Sequence, residues 1–489
     1  MMKRRWLGSL CLSLMIGDLS LFAADKVELA EPESDARIKL VRSHVQVSGQ
    51  LKTAAGAGKT IPLKLTADAQ YRFFERRLSG TGRDAETLRA VRLYRFASND
   101  TEVAPADAPE GAAPKKSTLK LPETRHLIVA QGRREGALLY SPTATLTYDQ
   151  LDLLRTPGDS LPLLSLLPRE EITAGESWKP ESWAVQMLCG IEAMTKGEIN
   201  CKLEEADTAT ARVTFTGSAD GATLGATTTV QLAGEFTFDR AAKMITRARV
   251  QQTEGRSIGA VMPGMEVTAN VTLERSLADG ASETNLLNDK AVADIPLEPA
   301  AEMQFLRFES WGLRFYHDRN WFQFHQTKDV AVFRMMEQGS LVAQVNVSPI
   351  PASATGSHTS EEQFQTDIRQ TLGKRLKGIT KSEQLQPRNA NDRRFLFRVI
   401  VEGEADGIPM TWFYHLCAAP TGQQVSFVFA VETKNVEKFN NRDLGLVRLL
   451  EFIPARQNAF PTPSARSLRP ASRGEWPLRW ACGVRTAGR

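Results

Sequence analysis

A period-two alternation of apolar and polar residues runs through the first half of the chain, from about Val41 to Ser276. In its clearest stretch, the odd-numbered positions from Ile61 to Phe73 are apolar, and most positions between them are charged or polar. One apolar face and one solvent-exposed face are typical of an antiparallel sheet, whereas a parallel sheet is covered by other parts of the protein on both faces. We therefore predict that residues 24–276 form a large antiparallel sheet, curved like a half-barrel.

Short helices are predicted only in the middle of this region. Thr147 and Gln150 form a capping box at the start of the helical stretch LTYDQLDLL. A second short helix follows Ser160, and a third runs from Ser182 to Cys189, where Gly190 ends it. We expect these helices to pack on one side of the sheet.

The period-two alternation of apolar and polar residues ends after Leu277. Residues 277–302 break the alternation and are interpreted as a linker. Residues 303–454 then alternate strands with one helix predicted from Glu361 to Leu376, capped by Thr359, and a closing helix from Val436 to Phe452. Strands with an inserted helix and a terminal helix predict an α+β sandwich, so the whole chain is assigned to the α+β class with two domains.

The start of the second domain resembles the entry hairpin of the PsbP-like family, which are secreted and lumenal α-β-α sandwich domains. The strand Gly312-Leu313-Arg314-Phe315 and the following Trp321 match the family's opening strand and its tryptophan. His317 and Asp318 occupy the turn in which the family usually has proline. The resemblance implies an α-β-α sandwich over residues 303–454 that binds or stabilises partners, with no single shared activity.

The first domain resembles uncharacterised secreted bacterial proteins that have a leucine-rich helix, a Leu-Pro step and a Gly-x-x-Trp motif. These features are Leu166-Leu167-Pro168 and Gly175 to Trp178. Its many long strands are also similar to the half-barrels of periplasmic lipoprotein carriers, which implies a related architecture and does not assign an activity.

Both ends of the chain are basic. Lys3, Arg4 and Arg5 precede the apolar run from Trp6 to Ile16, and small residues at Ala23 and Ala24 would accept cleavage, which predicts a signal peptide over residues 1–23. Residues 455–489 are rich in Arg, Pro and Ser and are predicted to be a disordered basic tail. The net charge is +4; since the first 23 residues contribute +2 and the last 34 contribute +6, the part between them carries −4. That mildly acidic body argues against nucleic-acid binding.

Motifs that could indicate catalysis or metal binding lack their structural context. The G-x-S-x-G match at Gly255 to Gly259 is followed by Pro263 and Gly264, which would break the helix that a nucleophile elbow requires. His317 and His325 flank one turn on strands expected to pair, but two histidines without a third ligand are a weak metal signal. We predict no catalytic residues, no metal site and no cofactor.

Four cysteines remain after signal cleavage, and none forms a C-x-x-C pair. Cys189 and Cys201 are near enough in sequence to close a small loop by a disulfide, which would stabilise the fold by ~3 kcal/mol. The alternative is two buried thiols.

These features predict an exported protein, secreted or periplasmic, without a transmembrane segment after cleavage. We expect it to be a non-enzymatic binding or docking protein for a hydrophobic small molecule or a protein partner. The candidate lining of the ligand site is Leu63, Leu65, Tyr71, Phe73, Leu151, Leu154, Leu163 and Leu167. Alternatively, the helices fill the sheet as an ordinary core, or the chain is an exported hydrolase with an unrecognised site or a structural protein of the cell envelope.

Overall fold

The computed structural model describes residues 26–33, 35–54, 59–80, 82–109, 113–278, 282–296, 298–386 and 392–453. The predicted signal peptide and the predicted basic tail lie outside these residues. The described chain consists mostly of antiparallel β-sheet, as the alternation predicts.

One open, twelve-stranded sheet is built from the first half of the chain, and every pairing in it is antiparallel. Its strands are β1 (Lys39–Ala54), β2 (Thr60–Arg77), β3 (Arg89–Pro105), β4 (Lys115–Lys120), β5 (Leu127–Arg133), β6 (Gly136–Tyr140), β7 (Ser177–Trp178), β8 (Ala193–Ala206), β9 (Thr210–Thr223), β10 (Ala226–Asp239), β11 (Met244–Arg256) and β12 (Gly264–Leu277). The order across the sheet is β6-β5-β3-β2-β1-β12-β11-β10-β9-β8-β7, with β4 paired to the C-terminal half of β3.

Three short helices lie against the inner side of this sheet: α1 (Tyr148–Leu154), α2 (Ser160–Leu163) and α3 (Ser182–Cys189). The predicted capping box is confirmed, because Thr147 Oγ1 accepts from Gln150 N at 3.3 Å and Gln150 Oε1 accepts from Thr147 N at 3.0 Å. Gly190 ends α3 in the left-handed region at φ 64°, as its position in the sequence predicts.

The sheet wraps around these helices without closing. A Cβ atom on Gly197 of β8 would lie 3.0 Å from Val185 of α3, and one on Gly132 of β5 would lie 3.0 Å from Met187 of the same helix. In a flat sheet β5 and β8 would be about 40 Å apart, since neighbouring strands are ~4.8 Å apart. One helix can touch both strands only because the sheet curves until its two ends approach each other.

The segment predicted as a linker contains short helical turns and packs on the outer face of the sheet. It includes a 3₁₀ turn (Ser282–Leu287), α4 (Asp289–Ala293) and α5 (Ala301–Gln304). Leu287 is fully buried in a cluster with Phe74, Val91 and Val129. The segment therefore covers apolar outer positions of β2, β3 and β5 rather than spanning open solvent.

The second half of the chain forms a three-stranded and a seven-stranded antiparallel sheet. The strands are β13 (Leu306–Ser310), β14 (Leu313–His317), β15 (Trp321–Gln326), β16 (Ala331–Glu337), β17 (Ser340–Ile350), β18 (Leu376–Gln384), β19 (Phe395–Ala405), β20 (Ile408–Ala418), β21 (Gln424–Glu432) and β22 (Glu451–Phe452), and the helices are α6 (Glu361–Leu372), α7 (Val436–Phe439) and α8 (Arg442–Arg448).

Both predicted helices of this half are shorter than expected. Helix α6 is capped by Ser360, whose Oγ accepts from Gln363 N at 3.1 Å, and not by Thr359. It ends at Leu372, because the next residues make a 3₁₀ turn and β18 begins at Leu376. The closing helix is broken into α7 and α8, since Asn440 and Asn441 both adopt the left-handed conformation, which asparagine tolerates better than most residues.

Helices lie on both faces of the seven-stranded sheet. Phe364 and Ile368 of α6 pack with Trp412 of β20, whereas Phe439 of α7 packs with the neighbouring Phe413. Since successive strand residues point to opposite faces, α6 and α7 lie on opposite sides.

The two halves of the chain contact each other directly. Arg319 donates from Nη2 to the carbonyl of Leu139 at 2.6 Å, and the rings of Tyr148 and Phe322 meet edge to face at 6.4 Å. Arg319 therefore ties the turn after β14 to β6, while Phe322 of β15 packs against α1.

Candidate functional site

The predicted ligand lining divides into two groups. Six of its members take part in the largest hydrophobic core, five of them buried and one, Leu167, packed against it while half-buried. The five are Tyr71, Phe73, Leu151, Leu154 and Leu163. Tyr71 also donates its hydroxyl hydrogen to the carbonyl of Leu153 at 2.9 Å, which fixes α1 against β2. Around these residues the helices fill the inner side of the sheet.

Leu63 and Leu65, the other two members, lie beyond the helices. Both are half-buried and belong to none of the hydrophobic clusters of the described chain. The register places further aliphatic residues beside them, because Leu63 pairs with Leu51 and Leu65 pairs with Val103. Gly49, the other partner of Leu65, pairs in turn with Val267 of β12.

We call this surface the inner apolar strip and define it by Leu51, Leu63, Leu65, Val103 and Val267. Directly paired residues project from the same face of a sheet, so the five side chains share the inner face across four strands. All are half-buried. The strip is therefore a partly exposed, apolar continuation of the core.

The opposite face of the same strands is polar. Lys52 and Glu266 form an ion pair there at 2.5 Å, and Lys116 and Glu102 form another at 2.6 Å. Lys64 is exposed on the same side. This contrast shows that the apolar character belongs to the inner face alone and is not a general property of these strands.

Charged side chains border the inner apolar strip. Glu254 of β11 pairs in register with Val267 and forms an ion pair with Arg256, and both side chains are mostly buried. On α1, Asp149 and Asp152 are exposed to solvent.

The carboxyl groups of α1 are accessible to water, yet neighbouring protein displaces much of the solvent around them. This withdrawal from bulk water raises the pKa of Asp149 and of Asp152; for Asp152, Arg155 opposes the effect and Asp149 adds to it. The site can therefore offer an apolar wall together with carboxylate and guanidinium groups, which suits an amphipathic ligand.

A buried ionic network, which sequence analysis missed, lies at the other end of the inner face. Arg92 of β3 bonds Glu75 of β2 at 2.9 Å and Asp159, at the start of α2, at 2.6 and 2.7 Å. Ser160 donates its hydroxyl hydrogen to Glu75 at 2.7 Å. The Arg92 and Glu75 side chains are almost completely closed to solvent, so their charges are satisfied by each other.

The network continues to the segment before β1. Arg275 of β12 is paired with Glu31 at 2.5 Å, and Lys39 is paired with Asp35 at 2.7 Å, again with side chains that are nearly inaccessible. The one available sequence signal was Glu75, because it continues the inward-facing series of Tyr71 and Phe73 as a charged residue. These pairs hold the first described segment against the sheet.

Two histidines of the second half, His317 and His415, are buried, whereas His325 and His358 are exposed. His415 Nε2 lies 2.8 Å from Asp443 Oδ2, and Arg398 is ion-paired with the same carboxylate at 2.8 Å, all in the interior. His317 is buried on β14, whereas His325 is exposed on β15. The expectation that their strands pair is wrong, since β14 pairs with β13 and β22 while β15 pairs with β16.

Cys189 and Cys201 are both buried, and both are free thiols. Burial raises the pKa of each thiol to about 12. In the ranges that the structure covers, no group of three His, Cys, Asp or Glu side chains is arranged to hold a metal ion. None of the described helices is long and apolar enough to cross a membrane.

No family model and no curated protein matches the chain. Among solved structures, it is similar to lipovitellin with a TM-score of 0.30 and 9% identity, over 51% of this chain and 26% of that one. It is also similar to the Ran-binding protein Mog1p of Saccharomyces cerevisiae, with a TM-score of 0.23 and 12% identity, over 30% of this chain and 95% of that one. A third similar structure is the translocator domain of the autotransporter NalP from Neisseria meningitidis, with a TM-score of 0.14 and 9% identity, over 81% of this chain and 88% of that one. The chain spans about a quarter of the lipovitellin chain. At these TM-scores the likenesses carry no argument about this protein.

Proposed function

We propose that this chain is an exported, non-enzymatic binding protein whose inner apolar strip holds the hydrocarbon part of an amphipathic ligand. One observation carries the proposal: five aliphatic side chains line the inner face beyond the helices, and no described hydrophobic cluster includes them. Leaving apolar area in water costs about 25 cal/mol per Å², so a ligand that covers this surface gains that free energy.

The charged border supports an amphipathic ligand rather than a purely apolar one. Glu254 and Arg256, which lie beside Val267 at the edge of the strip, can meet a polar headgroup while the strip accepts the chain. Export is supported by the basic residues Lys3 to Arg5 and the apolar run that follows them.

The second half is proposed to be a separate α-β-α sandwich domain of the PsbP-like kind that docks a protein partner. Its support is the layering of α6 and α7 on opposite faces of one sheet, together with the resemblance around Gly312 to Trp321. In this arrangement the first domain carries the ligand and the second positions it.

Binding is tested with a fluorescent fatty acid titrated into the mature protein, followed by displacement with unlabelled palmitate. Leu65→Gln should weaken binding by about tenfold, because it places an amide in the apolar strip. Lys64→Gln, on the opposite face of the same strand, is the matched control and should bind like the natural protein. Failure of the natural protein to bind the probe, or equal binding by both variants, would contradict the proposed function.

A further inference from the structure

A polar groove crosses the outer face of the large sheet, on the side away from the inner apolar strip. Its volume is about 670 Å³, which is within the range of small-molecule sites. It lies over β1, β2, β3 and β12, and its lining includes Arg42, Arg72, Phe96, Thr272 and Glu274. A smaller cavity of about 280 Å³ continues from it over β10 to β12 and shares Arg42 and Glu274 with it.

Two arginines face each other in the register across this groove. Arg42 of β1 and Arg72 of β2 are direct cross-strand partners, and both are exposed. Like charges at directly opposed positions destabilise a sheet. Neither guanidinium makes an ion pair or a side-chain hydrogen bond with any residue that the structure describes, so the pair brings two unneutralised positive charges together.

The acidic groups nearby are already engaged. Glu274 lines the groove as the cross-strand partner of Arg42 and is bonded to Arg247 of β11 at 3.4 Å. Asp68 accepts hydrogen bonds from Gln46 at 3.3 Å and lies 2.8 Å from His44 Nε2. With two arginines against the single carboxylate of Glu274, which is also bonded to Arg247, the lining of the groove keeps an excess of positive charge.

Phe96 adds an aromatic surface next to this charge. It is the cross-strand partner of Arg72 and is 42% exposed. A flat ring of a ligand can stack on it while an anionic group reaches the two arginines.

We propose that this groove binds a small ligand in which a phosphate monoester is attached to a flat ring. A phosphate monoester carries about −1.5 to −2 charges at pH 7, which matches the two unpaired guanidinium groups. Arginine bonds phosphate oxygens in a two-pronged geometry, so each arginine can bind one edge of the group. This site is separate from the inner apolar strip and does not depend on the proposed function.

Calorimetric titration of the full mature chain with phenyl phosphate tests the site. We expect a dissociation constant of about 1 mM or tighter, and a loss of about tenfold or more in each of Arg42→Gln and Arg72→Gln. Arg249→Gln is the matched control, because Arg249 is exposed on the outer face of the same sheet but is ion-paired with Glu235 at 3.1 Å. Its affinity should equal that of the natural protein.

A substitution at Phe96 distinguishes the contribution of the ligand's ring to binding from the contribution of its phosphate group. Phe96→Ser should weaken phenyl phosphate binding and leave the weaker binding of inorganic phosphate unchanged. No binding by the natural protein, or an equal loss in Arg249→Gln, would overturn the site. Inorganic phosphate binding as tightly as phenyl phosphate would overturn the ring contact, and preferential binding to vesicles containing phosphatidate would overturn the choice of a small aromatic ligand.

Discussion

Arg92 and Asp159 form a two-pronged ion pair inside the protein, with Nη1 donating to Oδ2 at 2.7 Å and Nη2 donating to Oδ1 at 2.6 Å. The same carboxylate caps α2 by accepting from Leu161 N at 2.8 Å. The pair therefore joins β3 to the start of a helix that fills the inner side of the sheet. The position of α2 therefore depends on a contact between two residues that are 67 positions apart in the sequence.

Asp159→Asn should destabilise the protein by about 1–3 kcal/mol, because the buried Arg92 keeps Glu75 but loses the charge of its second carboxylate partner. Asparagine is as good a helix cap as aspartate, so the substitution keeps the cap and isolates the ion pair. Urea unfolding of both proteins measures the difference. Glu235→Gln, which breaks the exposed pair with Arg249, should cost less than about 1 kcal/mol, and a similar cost for both substitutions would refute the role of burial.

Stability should fall as the pH is lowered from about 6.5. Burial lowers the pKa of His415 more than its bond to Asp443 raises it, and burial also lowers the pKa of His317. Since the unfolded histidines take up protons first, near pH 6.5, the contribution of their neutral form is complete above that pH and decreases by up to about 1.4 kcal/mol per pH unit for each histidine until the folded pKa is reached.

The free energy of unfolding measured between pH 7.5 and 5.5 checks this dependence. Glu31 and Asp35, whose pKa values are lowered in the folded state, add their own loss only at more acidic pH. His415→Asn should show a shallower pH dependence than the natural protein over the same interval. An unchanged slope would mean that His415 does not titrate as its burial requires.

Two leucines of the predicted lining should respond differently to truncation. Leu154→Ala removes a fully buried core side chain and should cost about 2–5 kcal/mol of stability. Leu65→Ala, in the half-buried inner apolar strip, should cost less than about 1 kcal/mol while reducing fatty-acid binding. Chemical unfolding and ligand titration on the same samples distinguish core from ligand contact, and equal stability losses would assign Leu65 to the core.

Gly132 should be intolerant of substitution, because a Cβ there would lie 2.1 Å from the carbonyl oxygen of Ala85. Gly132→Ala is expected to destabilise by about 1–3 kcal/mol, since the strand must shift to relieve the overlap. Gly445→Ala is the contrast: no atom lies within 4 Å of its Cβ position on α8, and alanine should stabilise that helix by about 0.5–1 kcal/mol. Thermal unfolding of both variants shows whether the close approach at Gly132 matters.

The thiols of Cys189 and Cys201 should be unreactive in the folded protein, because burial raises their pKa to about 12 and the thiolate is the reactive form. Peptide mapping after alkylation should find both residues modified only when the protein is unfolded first. Alkylation that fails even in denaturant, and succeeds after reduction, would instead reveal the disulfide considered from the sequence.

Local patterns of the sequence determined much of the secondary structure. The alternation around Ile61 to Phe73 specifies an antiparallel strand with an inward apolar face, and the Thr147–Gln150 capping box specifies the start of α1. Each depends on residues close in sequence, which is why it can be recognised without the fold. Where local signals compete, as at Asn440 and Asn441, the prediction of one continuous helix was wrong.

Tertiary structure alone decided which apolar residues are core and which form a surface. Leu65 and Tyr71 belong to the same inward-facing series of β2, yet Tyr71 is buried and Leu65 only half-buried, because α1 packs beside Tyr71. Likewise, the pairing of Arg275 with Glu31 joins residues 244 positions apart, and no local pattern reports such a contact. Alternation specifies the direction of a side chain, but what meets that side chain depends on how distant segments come together.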